Sequence, residues 1–238
     1  MKMTVNISTM LIIILGAALL FTAKVSAHIP LDTDAAATRE VPVEVEDHKI
    51  SWAAYNILED EDEVHYYRFS ASAGEEIYAS MLVPRLERLE NYHPDYALIG
   101  PGLENNYSGM SSEEIKSRLI IEGGEGVIVQ SYERDVGEES ETFFEHFTRT
   151  EYWTRQESTI AAPETGTYYL AVFSRQNQTG KYVFSIGRQE KWGISDIIRL
   201  PGIWWNVRMF MEKESSTYAI TGAIGAAAAL IVYRLLKN

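Results

Sequence analysis

Val64-His-Tyr-Tyr-Arg-Phe-Ser-Ala-Ser-Ala-Gly-Glu-Glu-Ile77 is the stretch whose reading decides the fold. His65, Tyr67, Phe69 and Ala71 recur with period two, the spacing that puts alternate side chains of a strand on one face. Ser72 to Glu75 carries a turn composition, and Ile77, Ala79, Met81 and Val83 then resume the alternation on a second strand. Both strands therefore predict an apolar face turned toward one core.

The same logic extends outward in both directions. Ser51 to Leu58, with Trp52, Tyr55, Ile57 and Leu58, reads as a first strand, and Val41 to Val45, which contains Pro42, as an extended lead-in or an edge strand. Tyr96 to Ile99 is a buried strand stopped by Gly100-Pro101-Gly102. Ile120-Ile121 and Val127 to Val129 are expected to pair across the Gly123 to Gly126 loop. That loop has neither the Lys nor the following helix of a phosphate cradle. Thr167 to Phe173 and Lys181 to Ile186 are expected to form a closing hairpin. Short strands at regular spacing, separated by turns, predict an all-β sandwich of antiparallel strands.

The quoted stretch resembles the opening motif of bacterial and archaeal pre-peptidase C-terminal domains. Ala162-Pro-Glu-Thr-Gly-Thr-Tyr-Tyr-Leu-Ala-Val172, with Gly180-Lys-Tyr-Val-Phe-Ser-Ile186, is similar to their closing segment. The resemblance covers roughly residues 51–187. It implies a jelly-roll-like β-sandwich that accompanies secreted enzymes and binds or presents rather than catalyses. An insertion from Glu133 to Gln156 departs from the pattern.

The flanks place this domain. Met1 to Ala27 has Lys2, an apolar core from Met10 to Phe21 and a small-residue Val25-Ser26-Ala27 site, which reads as a signal peptide. Residues 28–50 form an acidic lead-in. Residues 188–214 carry Trp192, Ile194, Ile197, Ile198 and Leu200, then Pro201-Gly202, then Ile203, Trp204, Trp205, Val207, Phe210 and Met211. The expectation is two short amphipathic helices broken at Pro201, with Trp192, Trp204 and Trp205 at a membrane interface. Residues 216–236 lack charge from Thr217 to Tyr233 and are long enough for a span, which needs about 17–25 residues. Arg234 and Lys237 follow, so the tail belongs inside and the sandwich outside a single-pass cell membrane protein. Gly222 with Ala226, and Gly225 with Ala229, repeat a small-residue spacing that would let a partner helix approach.

Composition bounds the chemistry. The formal charge of −13 and the absence of Cys exclude a disulfide framework or thiolate site, and set the chain against nucleic acid. No nucleophile elbow, zinc-protease helix or nucleotide loop occurs, so the chain reads as a non-catalytic binding or accessory module and a candidate subunit of an envelope or membrane complex. Two metal readings stand beside that. Cleavage after Ala27 would expose His28, whose amine and imidazole could take Cu²⁺ with a second imidazole such as His48. The Glu59 to Glu63 run, with Asp60 and Asp62, is either a Ca²⁺ site or a solvated turn. Phe143, Phe144, Phe147, Tyr152 and Trp153 crowd the insertion; displayed, they would bind a sugar or a protein partner, and buried, they would pack a loop. Asn106 to Ser108 and Asn177 to Thr179 are glycosylation sequons.

Overall fold

Two sheets face each other across an aromatic core in the computed structural model, which describes residues 28–33, 37–133, 140–191 and 193–237. The expected signal peptide and Trp192 lie outside the described residues. The strands in chain order are β1 (Ile29–Pro30), β2 (Val43–Glu44), β3 (Trp52–Leu58), β4 (His65–Ala71), β5 (Glu76–Pro84), β6 (Asp95–Pro101), β7 (Glu125–Gln130), β8 (Thr142–Glu145), β9 (Thr150–Ala161), β10 (Gly166–Phe173) and β11 (Gly180–Ile186). The helices are α1 (Ser112–Arg118), α2 (Ile194–Phe210) and α3 (Glu214–Lys237). The first sheet runs β1-β3-β11-β5-β9-β8 and the second β2-β4-β10-β6-β7. Pairing is antiparallel except at two edges, where β1 lies parallel to β3 and β2 parallel to β4.

The period-two reading of the quoted stretch holds. Tyr67, Phe69 and Ala71 of β4 and Ile77, Ala79, Met81 and Val83 of β5 all enter the inter-sheet core, with Tyr96, Leu98, Tyr168, Leu170, Tyr182 and Phe184. The two strands do not pair with each other, however: the Ser72 to Glu75 turn carries the chain from one sheet to the other. The closing hairpin is corrected in the same way. β10 pairs with β4 and β6, whereas β11 pairs with β3 and β5. A hairpin and a corner between facing sheets both demand one apolar face, so alternation alone does not separate them.

Three other expectations are corrected. Ile120-Ile121 forms no strand; it follows α1, whose Ile115 packs with Leu119, Val127, Val129 and Phe173 over the outer face of the second sheet. The insertion ends before Gln156, because Thr150 onward is β9, a twelve-residue strand paired with β5. Residues 194–210 form one helix rather than two, with Pro201 inside it. Pro201 and Ile197, whose carbonyl loses its donor there, are both exposed. Val207 and Met211 meanwhile pack on Ala53, Tyr152 and Val183 of the first sheet, joined by Ile203 and Phe210. That packing holds the helix register against a proline cost of ~3 kcal/mol.

The final helix, α3, is apolar and long enough to cross a membrane over residues 214–234. Beyond its first turn its side chains lie almost wholly unburied among the described residues.

Candidate functional site

The most constructed polar site joins the sandwich to that helix. Arg208, in the last turn of α2, is 3% exposed, and among the described residues no carboxylate pairs with it. Its Nη1 donates to the Thr148 carbonyl (2.7 Å), Nε to Thr217 Oγ1 (2.9 Å) and Nη2 to Ser216 Oγ (2.5 Å). Its guanidinium also lies over the Trp204 ring, 4.8 Å from the centroid. Burial, and then the nearby Arg149 charge, push its pKa below the ordinary value. A planar fork with several fixed donors suits this three-way junction where an ammonium would not. One side chain thus ties together α2, the first turn of α3 and the turn between β8 and β9.

A second strut stands beside it. Glu212, in the left-handed region (φ 55) of the turn between α2 and α3, receives Arg88 Nη1 at 2.9 Å and Lys181 Nζ at 2.8 Å. Hydrogen bonds from Arg88 and then Lys181 hold its carboxyl down at about 2. Lys181 Nζ also donates to the Phe210 carbonyl at 2.8 Å, and Tyr55 meets Phe210 edge-on. A groove of about 640 Å³ opens beside α2, between Ile29 to Thr33, Tyr55 and α2 residues from Asp196 to Phe210.

The aromatic segment of residues 143–153 does not form one surface. Tyr152 and Trp153 are buried in β9, whereas Phe143 and Phe144 stand exposed on the edge strand β8 and Phe147 is half-buried. The five-residue platform expected for a sugar is therefore split. Trp204 and Trp205 are partly covered, and the Trp205 ring meets Tyr218 of α3 edge-on at 5.5 Å. Gly222, Gly225, Ala226 and Ala229 lie exposed along α3.

The expected metal ligands are not gathered. His28 Nδ1 sits 2.5 Å from Ser51 Oγ, and burial lowers the pKa of its ring. Nδ1 is the atom that would chelate with the residue's own amine, and it is already engaged. His48 is buried and stacked on Phe69; its Nε2 finds no hydrogen-bond partner among the described residues and lies 3.9 Å from Glu75. Burial lowers the His48 pKa as well. Asp60 and Asp62 are exposed in the turn after β3, where Glu63 folds back to accept from the Glu59 and Asp60 amides. Among the described residues no group of three or more His, Asp or Glu could hold a metal ion.

One polar chain was not foreseen. Glu63 Oε1 lies 2.7 Å from His65 Nε2, His65 Nδ1 lies 2.8 Å from Tyr182 OH, and Tyr182 OH lies 2.8 Å from Tyr67 OH. It crosses the core from β4 to β11. Burial pushes the Tyr67 hydroxyl up to about 12 and raises Tyr182 as well. The signal was available in the inward periodicity of His65 and Tyr67, since inward polar tips need partners.

Comparison with known proteins is sparse. No family model matches the chain, and no curated protein matches it. Among solved structures it is similar to the pre-peptidase C-terminal domain of a collagenase from Bacillus anthracis, at 14% identity and a TM-score of 0.31 over 59% of this chain and 90% of that one. It is also similar to PliG, a periplasmic inhibitor of g-type lysozyme from Aeromonas hydrophila (10% identity, 68% and 96% coverage, TM-score 0.31). A third is the secreted protein MopE of Methylococcus capsulatus, described for copper binding (12% identity, 53% and 70% coverage, TM-score 0.22). At these values nothing that those proteins bind or inhibit passes to this chain.

Proposed function

We propose that the chain is a membrane-anchored, extracytoplasmic binding or accessory module without catalytic activity, which holds its sandwich in a set orientation beside a single span. The observation that carries this reading is the Arg208 junction. A domain merely tethered to a membrane needs only a linker, whereas here a buried cation fixes the first turn of α3 to α2 and to the sandwich. The signal-like leader and the basic residues Arg234 and Lys237 support an outside sandwich and an inside tail.

The absence of Cys makes the test direct. In intact cells, Asp60→Cys in the exposed turn should react with a membrane-impermeant maleimide, and Lys237→Cys should react only after permeabilisation. The full chain should also stay with membranes through alkaline extraction. Labelling in the reverse order, or release by alkali, overturns the reading. Cross-linking from the Asp60→Cys and Ile120→Cys positions in gently solubilised membranes then identifies what the module accompanies.

A further inference from the structure

We infer that the β8–β9 hairpin is a second membrane contact, with Phe143 and Phe144 immersed among lipid headgroups and upper acyl chains. The inference rests on the span reading of α3 and adds to it a surface on the sandwich.

The first argument is position. The turn of the hairpin offers the Thr148 carbonyl to Arg208 Nη1, and the same guanidinium binds Thr217 through Nε. Thr148 and Thr217 are therefore no further apart than one guanidinium and two hydrogen bonds allow. Thr217 lies in the first turn of the segment that can cross a membrane. The hairpin tip thus sits at the depth where the chain enters the bilayer.

The second argument is what that tip displays. Phe143 and Phe144 are 39% and 41% exposed on an edge strand, where soluble proteins ordinarily place charge. Consecutive strand residues point to opposite faces of the sheet. A protein partner laid on one face would cover one ring and leave the other in water; a lipid interface receives both. His146, ring to ring with Phe144, and half-buried Phe147 extend the aromatic tip. Trp205 and Tyr218, packed together, and Trp204 stand at the same junction, so the hairpin completes a collar of interfacial aromatics around the start of α3.

The third argument concerns charge. Acidic groups on the hairpin would oppose such contact, but two of them are engaged. Glu145 accepts from the Phe147 and Thr148 amides, and Glu151 pairs with Arg85 at 2.9 Å. The tip itself carries Arg149. With a formal charge of −13 on the chain, the occupant that fits is a zwitterionic surface rather than an anionic one.

The full chain, reconstituted in phosphatidylcholine vesicles with a single environment-sensitive thiol label, tests this. Phe143→Cys and Phe144→Cys report the hairpin, Ala228→Cys the span, and Ile120→Cys an exposed apolar site in the loop after α1. Both hairpin labels should be quenched by lipid-borne nitroxide and quenched several-fold less by aqueous iodide than the Ile120→Cys label. Hairpin labels as open to iodide as Ile120→Cys, with Ala228→Cys in lipid, overturn this inference and leave the anchor standing. Shielding from both quenchers means protein covers the hairpin, and lipid contact for only one of the pair means one-faced docking; either result overturns it too. An Ala228→Cys label in water overturns both readings.

Discussion

Arg208 donates to the Thr148 carbonyl across 2.7 Å, and that bond couples the helix leading into the candidate span to the turn of an edge hairpin. All three of its hydrogen-bond acceptors are uncharged oxygens. A buried cation without a countercharge loses hydration that neutral acceptors replace only in part. Its place is explained by geometry: a planar fork with several fixed donors serves three elements at once.

Arg208→Met keeps most of the volume and removes the fork. The Ser216 and Thr217 hydroxyls still donate to the Lys213 carbonyl, at 3.0 and 2.8 Å, so the Thr148 carbonyl is the group left without its donor. The expected loss is about 1–3 kcal/mol at the junction. Hydrogen exchange on the full chain in detergent checks it: protection at Thr217 should fall while the β10 amides remain protected.

Glu212 gives the same junction an acid dependence. Its carboxyl is held at about 2 against an ordinary 4.5, so its contribution is complete above 4.5. It declines as pH falls through that value toward about 2, where the folded-state carboxyl itself takes up a proton. Proteolysis at the Met211 to Lys213 turn should therefore rise across this window in the native chain. Glu212→Gln should show raised cleavage already at neutral pH and a flatter acid response.

The buried chain through Tyr182 ranks three substitutions. Tyr182→Phe deprives His65 Nδ1 of its partner and Tyr67 OH of one of two, Asn56 being the other, whereas Tyr67→Phe removes one hydroxyl and leaves the His65 bond intact. Buried groups left unpaired cost about 1–3 kcal/mol each, so Tyr182→Phe should destabilise more than Tyr67→Phe. The double variant should cost less than the sum of the two, because the Tyr67–Tyr182 bond that each single variant breaks can be lost only once. Denaturant midpoints of the three variants measure this directly.

Much of the sandwich was legible because period two is imposed by the backbone itself: Tyr67, Phe69, Met81, Leu98 and Phe184 all point where alternation puts them. Sheet membership was not, since the turn at Ser72 to Glu75 is short in a hairpin and in a corner alike. Helix α1 was missed although Ser111 and Glu114 form a capping box, because seven residues give too little periodicity to weigh against a loop. The single helix across Pro201 was misread for the opposite reason: a strong local breaker yields to packing supplied by the distant residues Ala53, Tyr152 and Val183. Arg208 was passed over because its partners come from two other elements. A lone Arg beside Trp204 and Trp205 looks in sequence like ordinary interfacial charge.

The glycines of residues 123–126 separate space from conformation in a single loop. At Gly123 a Cβ would meet nothing within 4 Å and no left-handed backbone is required, so Gly123→Ala should be neutral or add about 0.4–1 kcal/mol by restricting the unfolded chain. At Gly124 space is equally open, but φ is +90, and an alanine there should cost about 1–3 kcal/mol of backbone strain. Gly126 is different. Its Cβ would stand 1.8 Å from the Leu103 carbonyl oxygen, a backbone atom that cannot rotate away, at the start of β7 where Gly126 is registered opposite Gly100 of β6. Gly126→Ala must push the residue 103–106 segment off β7, breaking the 2.8 Å Asn106 amide to Val127 carbonyl bond and the 2.7 Å return bond from the Val129 amide. Its melting temperature should therefore fall furthest of the three, with Gly124→Ala between. If Gly126→Ala melts with the native chain while Gly124→Ala does not, the close approach of Leu103 to β7 is wrong.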